Sequence, residues 1–247
     1  MNNRKIVIAL HGSMAVLTCM TLLQPCMSVW AGDPNFGGSG SSGNTQGGGS
    51  RGNCPALAES MQPLTALIPH PKANQSTSGK AIETVSARPT VWVYVPYTAP
   101  TAKRVTLILE TAEGEEIYRS RLPIPAQPGI VGIALPENQP ALEPGKSYQW
   151  KYLLSCSSGG DAPEKAIGQI KRIPLAPTLE QQLAQAKTAV DRSRAYVQAG
   201  IWYEALTTLG NELKQKPDDP MVKKEWSTLL NYSTVNLGEF ALQPLLP

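Results

Sequence analysis

The stretch Arg88-Pro89-Thr90-Val91-Trp92-Val93-Tyr94-Val95-Pro96-Tyr97 leaves the chain few choices of fold. Valines alternate with aromatics, both residue types suit a pleated surface, and a proline near each end stops a hydrogen-bonded ladder from running on. The pattern predicts a strand with Val91, Val93 and Val95 on one face and Trp92 and Tyr94 on the other. Both faces are apolar, so the strand needs packing partners on both sides.

Further strands are predicted at residues 104–111, 116–122, 130–135, 147–156 and 166–173, with a weaker one at 81–85. Glu113-Gly114-Glu115 turns one of them into the next as a hairpin. About seven short strands in roughly a hundred residues fit an immunoglobulin-like sandwich. Leu142-Glu143-Pro144-Gly145-Lys146-Ser147-Tyr148 resembles the Leu-x-Pro-Gly-x-x-Tyr entry into the penultimate strand of fibronectin type III domains. That resemblance implies a tyrosine hydroxyl tied back to the backbone at the corner. Along the strand it introduces, the period of two puts Tyr148, Trp150, Tyr152, Leu154 and Cys156 on a core face, with Gln149, Lys151 and Ser155 outward.

From Pro174 the period turns helical. Thr178 with Gln181 offers a capping box, and Leu179, Leu183, Ala186, Val190 and Tyr196 share a face of one helix reaching Gly200. A second helix runs from Ile201 to Lys216 and stops at Pro217, and a third starts at Asp219-Pro220 and runs to about Tyr232. Gly200-Ile201-Trp202-Tyr203-Glu204-Ala205 followed by Pro217 resembles the second helix of a tetratricopeptide repeat, departing from it at Glu212. One such unit does not stand alone, so it is expected to pack on the sandwich or on a partner.

The N-terminus reads as an address. Residues 1–31 carry Arg4 and Lys5, then a mostly apolar run to Leu23, then Val29-Trp30-Ala31 as a small-residue cleavage pattern, which together describe an export signal; a retained anchor is the alternative. Neither Cys19 nor Cys26 sits in a lipid-attachment pattern. Residues 32–53 hold nine of the 21 glycines and no large apolar residue but Phe36, the composition of a flexible tether.

With the leader removed, 20 basic residues face 19 acidic ones, which leaves no electrostatic footprint for nucleic acid or an anionic membrane. The remaining cysteines, Cys54 and Cys156, are an even pair in a chain sent to an oxidising space, and are expected to form a disulfide. A metal site would want more ligands, and a catalytic thiol a nearby base.

Chemistry is sparse. The mature chain has one histidine, His70, in the proline-rich Pro69-His70-Pro71, where a solvated surface residue is expected. No catalytic triad can be assembled, no phosphate-binding glycine loop is present, and neither a cofactor nor a metal is implied. Glu110, Glu113, Glu115 and Glu116 cluster at a hairpin, where acids stay solvated and gain none of the burial that raises a catalytic pKa. Aromatics are the better lead: Trp92, Tyr94 and Tyr97 offer a stacking platform for sugar rings or a peptide, and Trp202, Tyr203 and Trp226 pose the same choice on the helices. The competing expectation is that these rings fill the core or the contact between sandwich and helices.

Arg51-Gly52-Asn53-Cys54-Pro55, Leu64-Thr65-Ala66-Leu67-Ile68-Pro69, the strand from Arg88 to Tyr97, Tyr148-Gln149-Trp150 with Cys156, Gly168-Gln169-Ile170-Lys171-Arg172 and Gly200-Ile201-Trp202-Tyr203-Glu204-Ala205 together resemble a family of exported cyanobacterial proteins of unknown function. The resemblance covers nearly all of residues 54–247 and implies the compartment without a mechanism. The expectation is a β-rich α+β protein: an immunoglobulin/fibronectin-III-like sandwich at 54–174, then a small helical subdomain at 175–247. Its expected role is that of a periplasmic or secreted, non-catalytic module contacting another envelope or periplasmic protein through the sandwich edge or the helical groove. Carbohydrate binding through the strand aromatics is the runner-up, and an unrecognised enzyme comes third.

Overall fold

A computed structural model describes residues 33–36, 54–70, 81–159 and 162–247. The expected export signal and most of the glycine-rich tether lie outside these residues. The described chain runs β1 (Thr65–Ala66), β2 (Ile82–Thr84), β3 (Thr90–Val95), β4 (Arg104–Thr111), β5 (Glu116–Leu122), β6 (Gly129–Ala134), β7 (Ser147–Ser155) and β8 (Glu164–Arg172). Helices α1 (Pro177–Gln185), α2 (Ala189–Gln198), α3 (Trp202–Gln215) and α4 (Pro220–Asn231) follow, then a short 3-10 turn at Gly238–Phe240.

The strands form two sheets, β1-β3-β6 and β2-β8-β7-β4-β5. Pairing is antiparallel except between β2 and β8. The fibronectin-like corner is present: the Glu143 N–H donates to the Tyr148 hydroxyl over 2.9 Å, and Gly145 makes the turn at φ +82°. Tyr148, Trp150, Tyr152 and Leu154 are buried along β7 as their spacing requires. At the end of β7, Cys156 is bonded to Cys54, which holds the extended 54–70 segment onto the sandwich. The tail closes the β6 edge, with Ile130 N–H donating to Pro244 O and Leu246 N–H to Ile130 O, both at 2.8 Å.

Sandwich and helices share one continuous apolar core, and α3 connects them. Its Trp202 Nε1 donates to Leu67 O at 2.9 Å. The Tyr203 hydroxyl accepts from Trp150 Nε1 at 3.1 Å. Thr207 Oγ1 accepts from Trp92 Nε1 at 3.0 Å. Side chains of one helix thus satisfy a buried acceptor of the 54–70 segment and indole donors of β7 and β3, groups that would cost ~1–3 kcal/mol each if left unpaired.

Three expectations need correction. The single helix expected up to Gly200 is two helices. Ala186 is extended at ψ 120°, and Thr188 starts α2 with a capping box to Asp191. The box expected at Thr178 is absent because α1 begins at Pro177 with Ala176 as its cap. The flexible tether expected over residues 32–53 fails at Asp33–Phe36. Phe36 is 3% exposed and packs edge-on against Trp202 at 5.0 Å, while Asp33 Oδ2 accepts from Ser233 N–H at 2.7 Å. One large ring, one carboxylate and the Pro34 carbonyl, which accepts from Thr234 Oγ1 at 2.8 Å, dock a segment whose composition is otherwise that of a linker.

Gly210 lies inside α3, where glycine costs about 1 kcal/mol relative to alanine. A Cβ there would stand 2.4 Å from Trp92 Cη2, and one at Gly132, opposite Trp92 in β6, would stand 2.8 Å away. The indole ring needs the room both glycines leave. Gly210→Ala is therefore expected to destabilise the fold by about 1–2 kcal/mol in urea melts, overpacking outweighing the propensity gain.

Candidate functional site

The aromatic residues singled out by the sequence are all inside. Trp92, Tyr94, Tyr97, Trp202, Tyr203 and Trp226 are none of them more than 9% exposed. Trp92 meets Trp226 edge-on at 6.2 Å and Tyr94 meets Phe240 at 5.3 Å, so α4 and the turn after it cover the face that was to be a platform. Tyr97 donates its hydroxyl to Pro55 O at 2.9 Å. Buried to this degree, the rings form no open platform of the kind first conceived for a sugar. They are joints between layers instead.

One polar joint was not anticipated. Glu204, in the first turn of α3, accepts from Thr84 Oγ1 and, at 2.9 Å, from Ser86 N–H. It tethers the β2 to β3 connection to the helix. Burial raises its pKa above the ordinary carboxylate value, against the opposing effect of those donors. A hollow of about 220 Å³ beside it is lined by Ser86, Thr90, Tyr196, Thr207 and Thr208 among others.

His70 also departs from expectation. Rather than standing in solvent, it is largely buried, and burial lowers its pKa to about 4. An unfolded chain takes up that proton near pH 6.5. Its contribution to stability is therefore complete above about pH 6.5 and is lost as pH falls toward 4, by roughly 3 kcal/mol across the window. Urea melts at pH 7 and pH 4.5 are expected to show this loss, and His70→Asn to remove most of it.

The outer face of the larger sheet carries a group of arginines. Gly114, at φ +89°, turns β4 into β5, and a register shift between Leu109 and Glu110 follows. Beyond that shift Thr106 faces Arg121 and Ile108 faces Arg119, while Arg104 faces Ser155 of β7. Val105, Leu107 and Leu109 point into the core, so the arginines share the outer face with Thr106. Arg104, Arg119 and Arg121 surround a depression of about 320 Å³ whose floor includes Thr106, Leu153 and Ser155.

Of the three, Arg119 is held by Glu116, with Nε donating over 2.8 Å. Among the described residues Arg104 reaches only Ser155 Oγ, at 3.5 Å, and no carboxylate pairs with Arg121. The hairpin acids are accounted for otherwise, since Glu110 pairs with Lys151 at 2.6 Å while Glu113 and Glu115 stay exposed. The far edge of β5 pairs with no strand among the described residues.

A third surface lies at the helical end, a groove of about 510 Å³ floored by Trp226 and bordered by Leu213, Pro217 and Leu242. Among the described residues no cluster of His, Cys, Asp or Glu is fit to hold a metal ion, and no helix is long and apolar enough to cross a membrane.

The arginine depression was missed because hairpin register sets it. Counted back from Glu110 facing Glu116 without the shift, Arg119 and Arg121 would fall opposite Leu107 and Val105 and point inward. The sequence does carry a signal, Arg119-Ser120-Arg121 in a strand whose partner has Val105, Leu107 and Leu109 as its only apolar alternation. Charges cannot occupy that inner face.

No curated protein matches the chain. Among solved structures, the fibronectin type III domain of the human collagen alpha-1(XX) chain is similar at 12% identity, covering 42% of this chain and 94% of that one with a TM-score of 0.24. The family model described as Domain of Unknown Function (DUF928) matches residues 46–245. That span takes in the sandwich, its disulfide, the arginine face and all of the helices, and the chain belongs to this family.

Proposed function

We propose that the protein is a non-catalytic interaction module working outside the cytoplasm, and that it docks another protein along the β5 edge of its larger sheet. The observation that carries this reading is the unpaired edge itself. β5 offers Glu116–Leu122 as a strand with no other strand paired on its far side among the described residues, whereas the C-terminal tail covers β6. An open edge is a template for strand addition, in which the backbone supplies affinity and the alternating side chains supply selectivity. The Cys54–Cys156 bond supports the compartment, because such bonds persist in oxidising spaces. The likeness of α3 to a tetratricopeptide helix is not used in this reading, since α3 packs on the sandwich and on its neighbours α2 and α4.

A photo-crosslinking residue at exposed Pro123, just past β5, is expected to yield protein adducts in the source cells, and one at exposed Glu180 on α1 to yield none. Adducts at Glu180 without any at Pro123 would move the interface to the helices. Fractionation that finds the chain in the cytoplasm would remove the proposed compartment.

A further inference from the structure

Resting on the edge-docking reading, we infer that the partner segment is an acidic strand, with acidic residues two apart facing Arg119 and Arg121 and an apolar residue between them. The register dictates the spacing. Arg119 and Arg121 stand on the outer face with Ser120 between them pointing toward the core side, opposite Leu107. A strand added to β5 therefore presents alternate side chains to the two arginines. Directly opposed residues lie about 4.5–5.5 Å apart at Cβ, within reach of a carboxylate. The intervening side chain falls on the inner side, beside Tyr118, Ser120 and Leu122, which are half-buried there.

Charge complementarity selects acid at the outer positions. Arg104 stands diagonally behind Arg121 on the next strand, and the three guanidinium groups share one depression. Like charges gathered on one sheet face oppose one another, and within this group Glu116 neutralises only Arg119. An incoming carboxylate at Arg121 relieves that repulsion and gains a two-pronged hydrogen bond. The open row of backbone groups on β5 favours a polypeptide over an acidic glycan, because only a polypeptide can continue the ladder.

The test is fluorescence anisotropy of the full chain with labelled nine-residue peptides of alternating Glu and Val, or of alternating Gln and Val, with polygalacturonate as the glycan probe. The Glu peptide is expected to bind about threefold more tightly than the Gln peptide at low salt, chiefly through one exposed ion pair at Arg121, since Arg119 already has Glu116. Arg121→Ser together with Arg119→Ser is expected to erase that difference, as is 0.5 M salt. Both arginines are exposed, so the double variant is expected to fold. Equal binding of the two peptides would overturn the acidic preference and leave edge docking standing. Binding of neither peptide would overturn edge docking itself. Polygalacturonate binding that the arginine variants abolish, without binding of either peptide, would assign the depression to a glycan.

Discussion

Trp92→Ala is expected to cost about 3–5 kcal/mol, the largest effect of any single substitution proposed for this chain. The ring is 1% exposed and lies against Gly132 and Gly210, edge-on to Trp226, with Lys214 Nζ 5.2 Å from its centre. Two glycines hold their neighbours close to it, so little backbone is free to collapse into the space an alanine would leave. Loss of the indole also orphans Thr207 Oγ1 on α3. Urea melts followed by far-ultraviolet circular dichroism measure the cost without relying on tryptophan emission. Trp92→Phe keeps most of the ring and is expected to lose about half as much. A cost below about 1.5 kcal/mol for alanine would show that helices and sandwich do not depend on this joint.

Cys54→Ser combined with Cys156→Ser is the second large effect, expected at about 3–5 kcal/mol. The bond joins residues 102 apart in sequence. A closed loop of that length restricts the unfolded chain by about 4–5 kcal/mol in the chain-entropy model. The hydrogen bond from Tyr97 to Pro55 O still ties the 54–70 segment to the end of β3, so the double variant is expected to fold. Reductant should lower the urea midpoint of the wild type to that of the double variant and leave the variant unmoved. A loss under about 1 kcal/mol would mean that the loop is already restricted before folding.

The two effects act on different states. Trp92 stabilises the native packing, whereas the disulfide acts mainly on the unfolded chain. Their costs should therefore add when combined, since distant and independent sites do so to within about 0.5 kcal/mol. Reductant applied to Trp92→Ala provides that measurement without a further construction step.

Much of the architecture was written in runs of consecutive residues. The valine and aromatic alternation of β3, the limits of β4 and β5, the tyrosine corner at Tyr148 and the Asp219-Pro220 start of α4 are all local signals. Each depends on the period of a side-chain pattern, a turn or a cap, and so survives reading one segment at a time. Only the assembled structure decided which faces were covered. Trp92 finds Thr207 at a separation of 115 residues, Phe36 docks on Trp202 from within a linker-like segment, and a one-residue shift at Leu109 and Glu110 turns Arg119 and Arg121 outward. Burial and register belong to pairs of segments, and the energies that set them arise only when distant residues exclude water together.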